Sequence, residues 1–206
     1  MILHFEPNLA YQLEAINSVV RLFEGQPAED SAFEFNIPEE GTLNFIDGIA
    51  NRLIISEDQA LRNLQNVQRD NEIGISNSID GMNFSVEMET GTGKTYVYLR
   101  TIYELFENYG FKKFVIVVPS VAIREGVLKN LEITHAHFQN LYDNAPIHYQ
   151  VYDSGKISSL RGFATGSNIE VLVINIDSFA KDENIINRPN DRLNGQIPAE
   201  FIRSAH

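Results

Sequence analysis

The chain has 206 residues with 16 Lys and Arg against 28 Asp and Glu, a formal charge of −12. Its 43% apolar and 21% charged residues exclude the low-hydrophobicity, high-charge disordered class and predict a real core. The acidity argues against a self-sufficient nucleic-acid module, which needs a cationic face to displace counterions, and the absence of cysteine excludes disulfides, thiolate metal sites and a Cys nucleophile. No uncharged apolar run approaches the ~18–20 residues that span a bilayer, and the N-terminus lacks a basic segment ahead of an apolar core. No membrane association is therefore expected, and the expected compartment is reducing and cytoplasmic.

In chain order, residues 8–24 place Leu9, Leu13, Ile16, Val19, Val20 and Phe23 at helical spacing before Gly25 and Pro27 stop the pattern. Residues 26–80 read as an elaboration, an inserted helix with loops. There Ser56 and Gln59 have capping-box spacing, and Leu61, Leu64 and Val67 form one stripe. The pattern then turns regular. A short strand, NFSVEM, leads into ETGTGKT, and a helix starting near Lys94 ends at Gly110. The apolar run FVIVVP precedes a helix from Ser120 to about Leu131, with a second helix from His135 to Tyr142. HYQVYD and EVLVINI read as strands flanking a short helix, and a long polar connection ends in a helix opened by Pro198. Apolar strands alternating with helices predict an α/β fold, a mainly parallel sheet with helices on both faces.

The chemistry concentrates in Thr90, Gly91, Thr92, Gly93, Lys94 and Thr95, between the strand and the helix. Glycines let successive N–H groups face one anion, and a helix start adds its positive end to the same point. Lys94 is the candidate ammonium for β- and γ-phosphates and Thr95 the candidate hydroxyl ligand of Mg²⁺. Met88 stands where the complete pattern has its first glycine. For the carboxylate that such a site needs, Asp177 follows an apolar run but precedes Ser178, and Asp182-Glu183 follows the polar FAK. Both are poor candidates, so the true pair is expected beyond His206. His135 and His137, two apart on a helix, form no metal pair.

Together, ETGTGKT, the helix Tyr11-Gln12-Leu13-Glu14-Ala15-Ile16 with its trailing LFEGQP, VIVVPSVAIREGVLKNLE and VLVINIDSFAKDENIIN resemble the N-terminal part of the Res subunit of type III restriction enzymes, whose motor is similar to superfamily 2 helicases. The resemblance covers nearly the whole chain. It implies that residues 1–206 are part of the first of two RecA-like ATPase lobes, with 26–80 as the elaboration before the P-loop strand. Gln12 would read adenine, with Phe5 or Tyr11 stacking on the base, and ATP with Mg would be the cofactors. Pro119, Ser120 and Arg124, and with them Asn175, Ser178 and Phe179, would contact DNA. In the intact enzyme, ATP hydrolysis would drive movement along, or switching on, double-stranded DNA before cleavage, beside a modification methyltransferase subunit. This chain alone would bind nucleotide and hardly hydrolyse it. Another superfamily 2 helicase lobe, a non-hydrolysing nucleotide-binding regulator and a P-loop phosphotransferase are the alternatives.

Overall fold

In the computed structural model, which describes residues 5–28, 32–38 and 45–205, the apolar run near the C-terminus becomes the middle strand of a parallel sheet. In chain order the elements are α1 (Ala10–Val20), β1 (Ala32–Pro38), β2 (Phe45–Asn51), α2 (Glu57–Asp70), α3 (Lys94–Tyr109), β3 (Lys113–Val118), α4 (Val121–Leu141), β4 (Ile147–Val151), α5 (Ser159–Thr165), β5 (Ile169–Asn175) and α6 (Pro198–Ala205). The main sheet has the order β3-β5-β4, with β5 parallel to both neighbours.

The alternation of β5 explains the two layers. Val171 and Val173 pack with Leu99, Ile102 and Tyr103 of α3 and with Val127, Leu131 and Phe138 of α4. Leu172 and Ile174 face the opposite way, onto Leu160 and Phe163 of α5 and Phe201 and Ile202 of α6. Side chains alternate faces along a strand, so one covered on both sides must be apolar at every position. A third cluster, with Ile16 and Val20 of α1 against Val97, Leu105 and Tyr109 of α3, docks α1 on the same helix.

The exception on β5 is Glu170, which is buried and aligned with Lys113 of β3 and His148 of β4. The Lys113 ammonium, fully buried, donates to the carbonyls of Phe163 and Gly166 at 2.5 Å each, and His148 Nδ1 lies 3.2 Å from Glu170 Oε1. Burial pulls Lys113 down to about 8, against the opposing pull of Glu170. Burial also raises Glu170 above the usual carboxylate range, despite His148 and Lys113.

Within residues 26–80 the expected inserted helix is present as α2. Ser56 Oγ accepts the N–H of Gln59, as the capping spacing required. The elaboration also contains the antiparallel pair β1–β2, where only loops were expected. In β2, Gly48 stands opposite Phe35, and a Cβ there would meet the Phe35 ring at 2.7 Å. Buried amides tie this region down: Gln26 bonds the backbone of Arg52 and Ile54, and Asn63 donates to the carbonyls of Leu22 and Glu24.

Two other expectations are corrected. Residues 83–88, NFSVEM, form no strand, because within the described residues no neighbouring strand supplies a ladder; the open flank of β3 leaves Val117 49% exposed. The two helices expected after Ser120 are one, α4. Its sequence between Leu131 and His135 holds neither Gly nor Pro, and Thr134 Oγ1 returns its hydrogen bond to the carbonyl of Asn130 at 2.7 Å. Among the described residues, no helix is long and apolar enough to cross a membrane.

Lys113 sets a pH dependence. Its folded value of about 8 lies below the ordinary 10.5. Between those values the unfolded chain binds more protons, so this group makes stability rise with pH. Urea unfolding from pH 8 to 10 should show that rise, on the order of 3 kcal/mol across the full interval, and Lys113→Met should flatten it. Equal slopes in the two proteins would refute the assignment.

Candidate nucleotide-binding site

The glycine-rich loop reaches α3 through two residues in left-handed backbone conformation, Gly91 at φ +84° and Gly93 at φ +87°. L-residues pay about 1–2 kcal/mol to adopt that region, so the loop's path requires glycine at both positions. Gly93 is the N-cap of α3 and its carbonyl accepts the N–H of Val97, leaving Lys94 and Thr95 in the first turn. The loop is closed on the carbonyl of Glu89, which accepts the Thr92 hydroxyl at 2.7 Å and the Lys94 ammonium at 2.7 Å. Met88, in place of the first glycine of the pattern, packs its side chain against the α1–α3 cluster.

Helix α1 supplies the second wall. Gln12 is buried, and its Nε2 donates to the carbonyl of Thr92 at 2.9 Å. A Cβ added to Gly93 would lie 2.6 Å from that same Nε2. Ahead of α1, Arg100 of α3 donates to the carbonyl of Pro7 at 2.5 Å and bonds the hydroxyl of Tyr142 at 3.0 Å, holding the N-terminal segment beside α3.

The result is a cleft of about 730 Å³ lined by Phe5, Glu6, Leu9, Gln12, Thr90, Gly91, Gly93, Lys94, Thr95, Tyr96 and Asn130. It brings together Phe5, Gln12, Thr90, Gly91, Gly93, Lys94 and Thr95 among the sequence candidates. Thr92 reaches it through its carbonyl on Gln12, while its residue lines a neighbouring groove shared with Tyr11. Of the two candidate stacking rings, Phe5 is therefore at the cleft and Tyr11 is turned away, 47% exposed. Tyr96 and Asn130 were not among the candidates. Tyr96 is two residues past Lys94, so the helical register alone could have placed it on the first turn, whereas Asn130 arrives from α4 only through tertiary packing.

The cleft suits a polyphosphate: two left-handed glycines, the start of a sixteen-residue helix and one ammonium converge on it. For Mg²⁺ it holds the Thr95 hydroxyl and, at the other wall, Glu6. Neither Asp177 nor Glu183 is there. Both line a separate cleft of about 480 Å³ with Tyr152, Ser154, Asn175, Ser178 and Asn184. Among the described residues no group of three or more His, Cys, Asp and Glu is arranged to hold a metal.

The remaining candidates sit at the carboxyl ends of the sheet strands. Ser120 Oγ accepts the N–H of Ile123 as the cap of α4, and Arg124 pairs with Glu125 at 2.8 Å while lining a cleft of about 440 Å³ with Gln150, Asp153 and Lys156. Pro119 is exposed at the end of β3. Asn175 Oδ1 accepts the N–H of Asp177, and Asn184 holds the carbonyls of Asp177 and Ser178.

A family model described as type III restriction enzyme, res subunit, matches residues 7–201. The chain belongs to the Res-subunit family of type III restriction enzymes. Its relatives include the Res subunit of the type III restriction-modification enzyme EcoP15I of Escherichia coli, 30% identical over 98% of this chain and 23% of that protein. The EcoPI Res subunit of Escherichia phage P1 is 31% identical over 83% of this chain and 19% of its own length. The StyLTI Res subunit of Salmonella typhimurium is 46% identical, over 37% of this chain and 8% of its own length. This Res-family chain thus spans about a quarter or less of the relatives it matches, and its α/β architecture with a parallel sheet agrees with a RecA-like, helicase-like domain.

The glycines separate two costs. Gly91→Ala, with open space around the added Cβ, should lose about 1–2 kcal/mol of stability from backbone strain alone. Gly93→Ala should lose more, because it also displaces the Gln12 amide. Thermal unfolding of both variants checks the order, and equal losses would show that Gln12 yields freely.

Proposed function

We propose that residues 1–206 form part of the first RecA-like motor lobe of a Res subunit, binding ATP with Mg²⁺ in the cleft between α1 and the start of α3. The observation that carries this reading is the Gln12–Thr92 hydrogen bond. It joins the residue suited to a purine edge to the loop suited to phosphates, within one cleft.

The roles follow from the groups. Backbone N–H groups around Gly91 and Gly93, with the start of α3, cradle phosphate oxygens. The Lys94 ammonium leaves the Glu89 carbonyl for the β- and γ-phosphates, exchanging a neutral acceptor for charged ones. Thr95 offers its hydroxyl to Mg²⁺, which when bound neutralises phosphate charge. The Gln12 amide spends one N–H on Thr92, and its other N–H and its carbonyl oxygen have the donor and acceptor complement of adenine N7 and N6. Phe5 stacks on the base. Guanine presents O6 where adenine presents N6, so the same amide disfavours GTP.

In the intact enzyme, hydrolysis at this cleft would drive movement along, or switching on, double-stranded DNA before cleavage, with the modification methyltransferase as partner and the cytoplasm as setting. Pro119, Ser120, Arg124, Asn175 and Ser178 are the proposed DNA contacts. What supports them is their common place at the carboxyl ends of β3 and β5, where a helix start with Ser120 and Arg124 suits a phosphate. Asp177 and Glu183 share the cleft of Asn175 and Ser178, so the Arg124 end is the more favourable electrostatically.

Titration calorimetry tests the reading. Mg-ATP should bind, Lys94→Ala should weaken it about 10- to 100-fold, and Gln12→Ala should remove the preference over Mg-GTP. Turnover by this chain should stay below about one per minute, because charge stabilisation by an arginine from a second lobe is worth about 10³–10⁵ in related hydrolases. Absence of ATP binding by the folded chain would reject the assignment.

A further inference from the structure

His137 is not among the residues that line the cleft between α1 and the start of α3, yet it touches the two aromatic rings that do, Phe5 and Tyr96. It projects from α4 so that its ring centroid lies 5.2 Å from that of Phe5 and 5.6 Å from that of Tyr96. Its Nε2 is 2.9 Å from the Tyr96 hydroxyl. Phe5 in turn stacks on Tyr96, with centroids 5.9 Å apart and planes 17° from parallel. Tyr96 is also backed by Phe138, at 5.2 Å. The three rings thus form one unit, drawn from the N-terminal segment, α3 and α4, and only Phe5 and Tyr96 open onto the cleft.

Asn8 N–H bonds Glu6, a local contact, and Arg100 holds the Pro7 carbonyl. Among the described residues, ring contacts with Tyr96 and His137 seat Phe5 against the cluster built by α3 and α4. Such aromatic contacts are worth about 0.5–1.5 kcal/mol each beyond their buried area. The Tyr96–His137 hydrogen bond fixes the tilt of the ring on which Phe5 lies. Burial, and less strongly the Arg100 charge beside it, disfavours a charged imidazole, and Nε2 shares one proton with the Tyr96 hydroxyl, donating or accepting according to the ring's tautomer.

We propose that His137 is a positioning residue for the base end of this cleft: by holding Tyr96 through its Nε2 and flanking Phe5, it sets the aromatic platform on which a purine stacks. This rests on the nucleotide reading above. It extends that reading to a residue on α4, the helix whose opposite end carries Ser120 and Arg124. His137 touches no phosphate-binding group, so its influence belongs to the base and not to the triphosphate.

The test is calorimetry on the full chain with two probes, Mg-ATP and Mg-tripolyphosphate. His137→Ala should weaken ATP about 5- to 10-fold, the equivalent of one or two aromatic contacts, and leave tripolyphosphate within about twofold. Tyr96→Phe, which keeps the ring and loses the hydroxyl, should weaken ATP less, and the double variant should be no weaker than His137→Ala alone, since both remove one hydrogen bond. Unchanged ATP affinity in His137→Ala overturns the proposal. Equal weakening of ATP and tripolyphosphate also overturns it, by reducing His137 to general packing. A wild-type chain that binds tripolyphosphate as tightly as ATP rejects the base-reading site itself, whereas an ATP preference that His137→Ala leaves undiminished rejects this proposal alone.

Discussion

A strand covered on both faces leaves no room for a solvated side chain, and that constraint on β5 organises the molecule. Because Val171 and Val173 face α3 and α4 while Leu172 and Ile174 face α5 and α6, one strand joins both layers and holds the helices in register with it. Interiors pack at crystal-like density, so the helix axes follow from the side chains between them. The carboxyl ends of the strands then share one rim, where the turns after β3 and β5 bring Ser120, Arg124, Asn175 and Ser178. The one charged residue inward on this strand, Glu170, sits at the opposite end with Lys113 and His148, away from that rim.

The cleft between α1 and the glycine-rich loop depends on α3 in the same way. This helix packs on α4 with one side and on α1 with another, so its first turn is held between fixed walls. A loop with two left-handed glycines is by itself a floppy element, since glycine loses the most freedom on ordering. Here it is restrained from three directions: Glu89 closes it, Gln12 grips Thr92, and Met88 anchors its start in the α1–α3 core. Preorganisation of this kind lowers the cost of ordering the loop around an anion. The aromatic unit of Phe5, Tyr96 and His137 extends the same logic to the far end of the cleft.

The parallel pattern of apolar strands, the Ser56 cap, the helix start at Ser120, the Gly110 terminus and the helix opened by Pro198 were all legible in the sequence, because each depends on residues within a few positions of one another. The glycine-rich loop and Lys94 were legible for the same reason. The pair β1–β2 was not: its partners are joined across an intervening segment, and its register depends on Phe35 filling the space at Gly48. The segment 83–88 has the alternation of a strand, yet a strand exists only with a partner beside it, which local pattern does not supply. The continuity of α4 across residues 131–135 goes with the burial of Leu131, Thr134 and Phe138 along one face of it, packing that propensity leaves open.

The sequence by itself determined the family, the α/β class and the glycine-rich loop ahead of α3, since composition, spacing and backbone requirements of glycine are local properties that survive in any arrangement of the chain. Only the tertiary structure decided that Phe5 and not Tyr11 faces the cleft, that Gln12 is tied to Thr92, and that Asp177 and Glu183 lie in a different cleft from Lys94. Those outcomes depend on the angles at which α1, α3 and α4 pack, and packing angles are set by contacts between residues far apart in the chain.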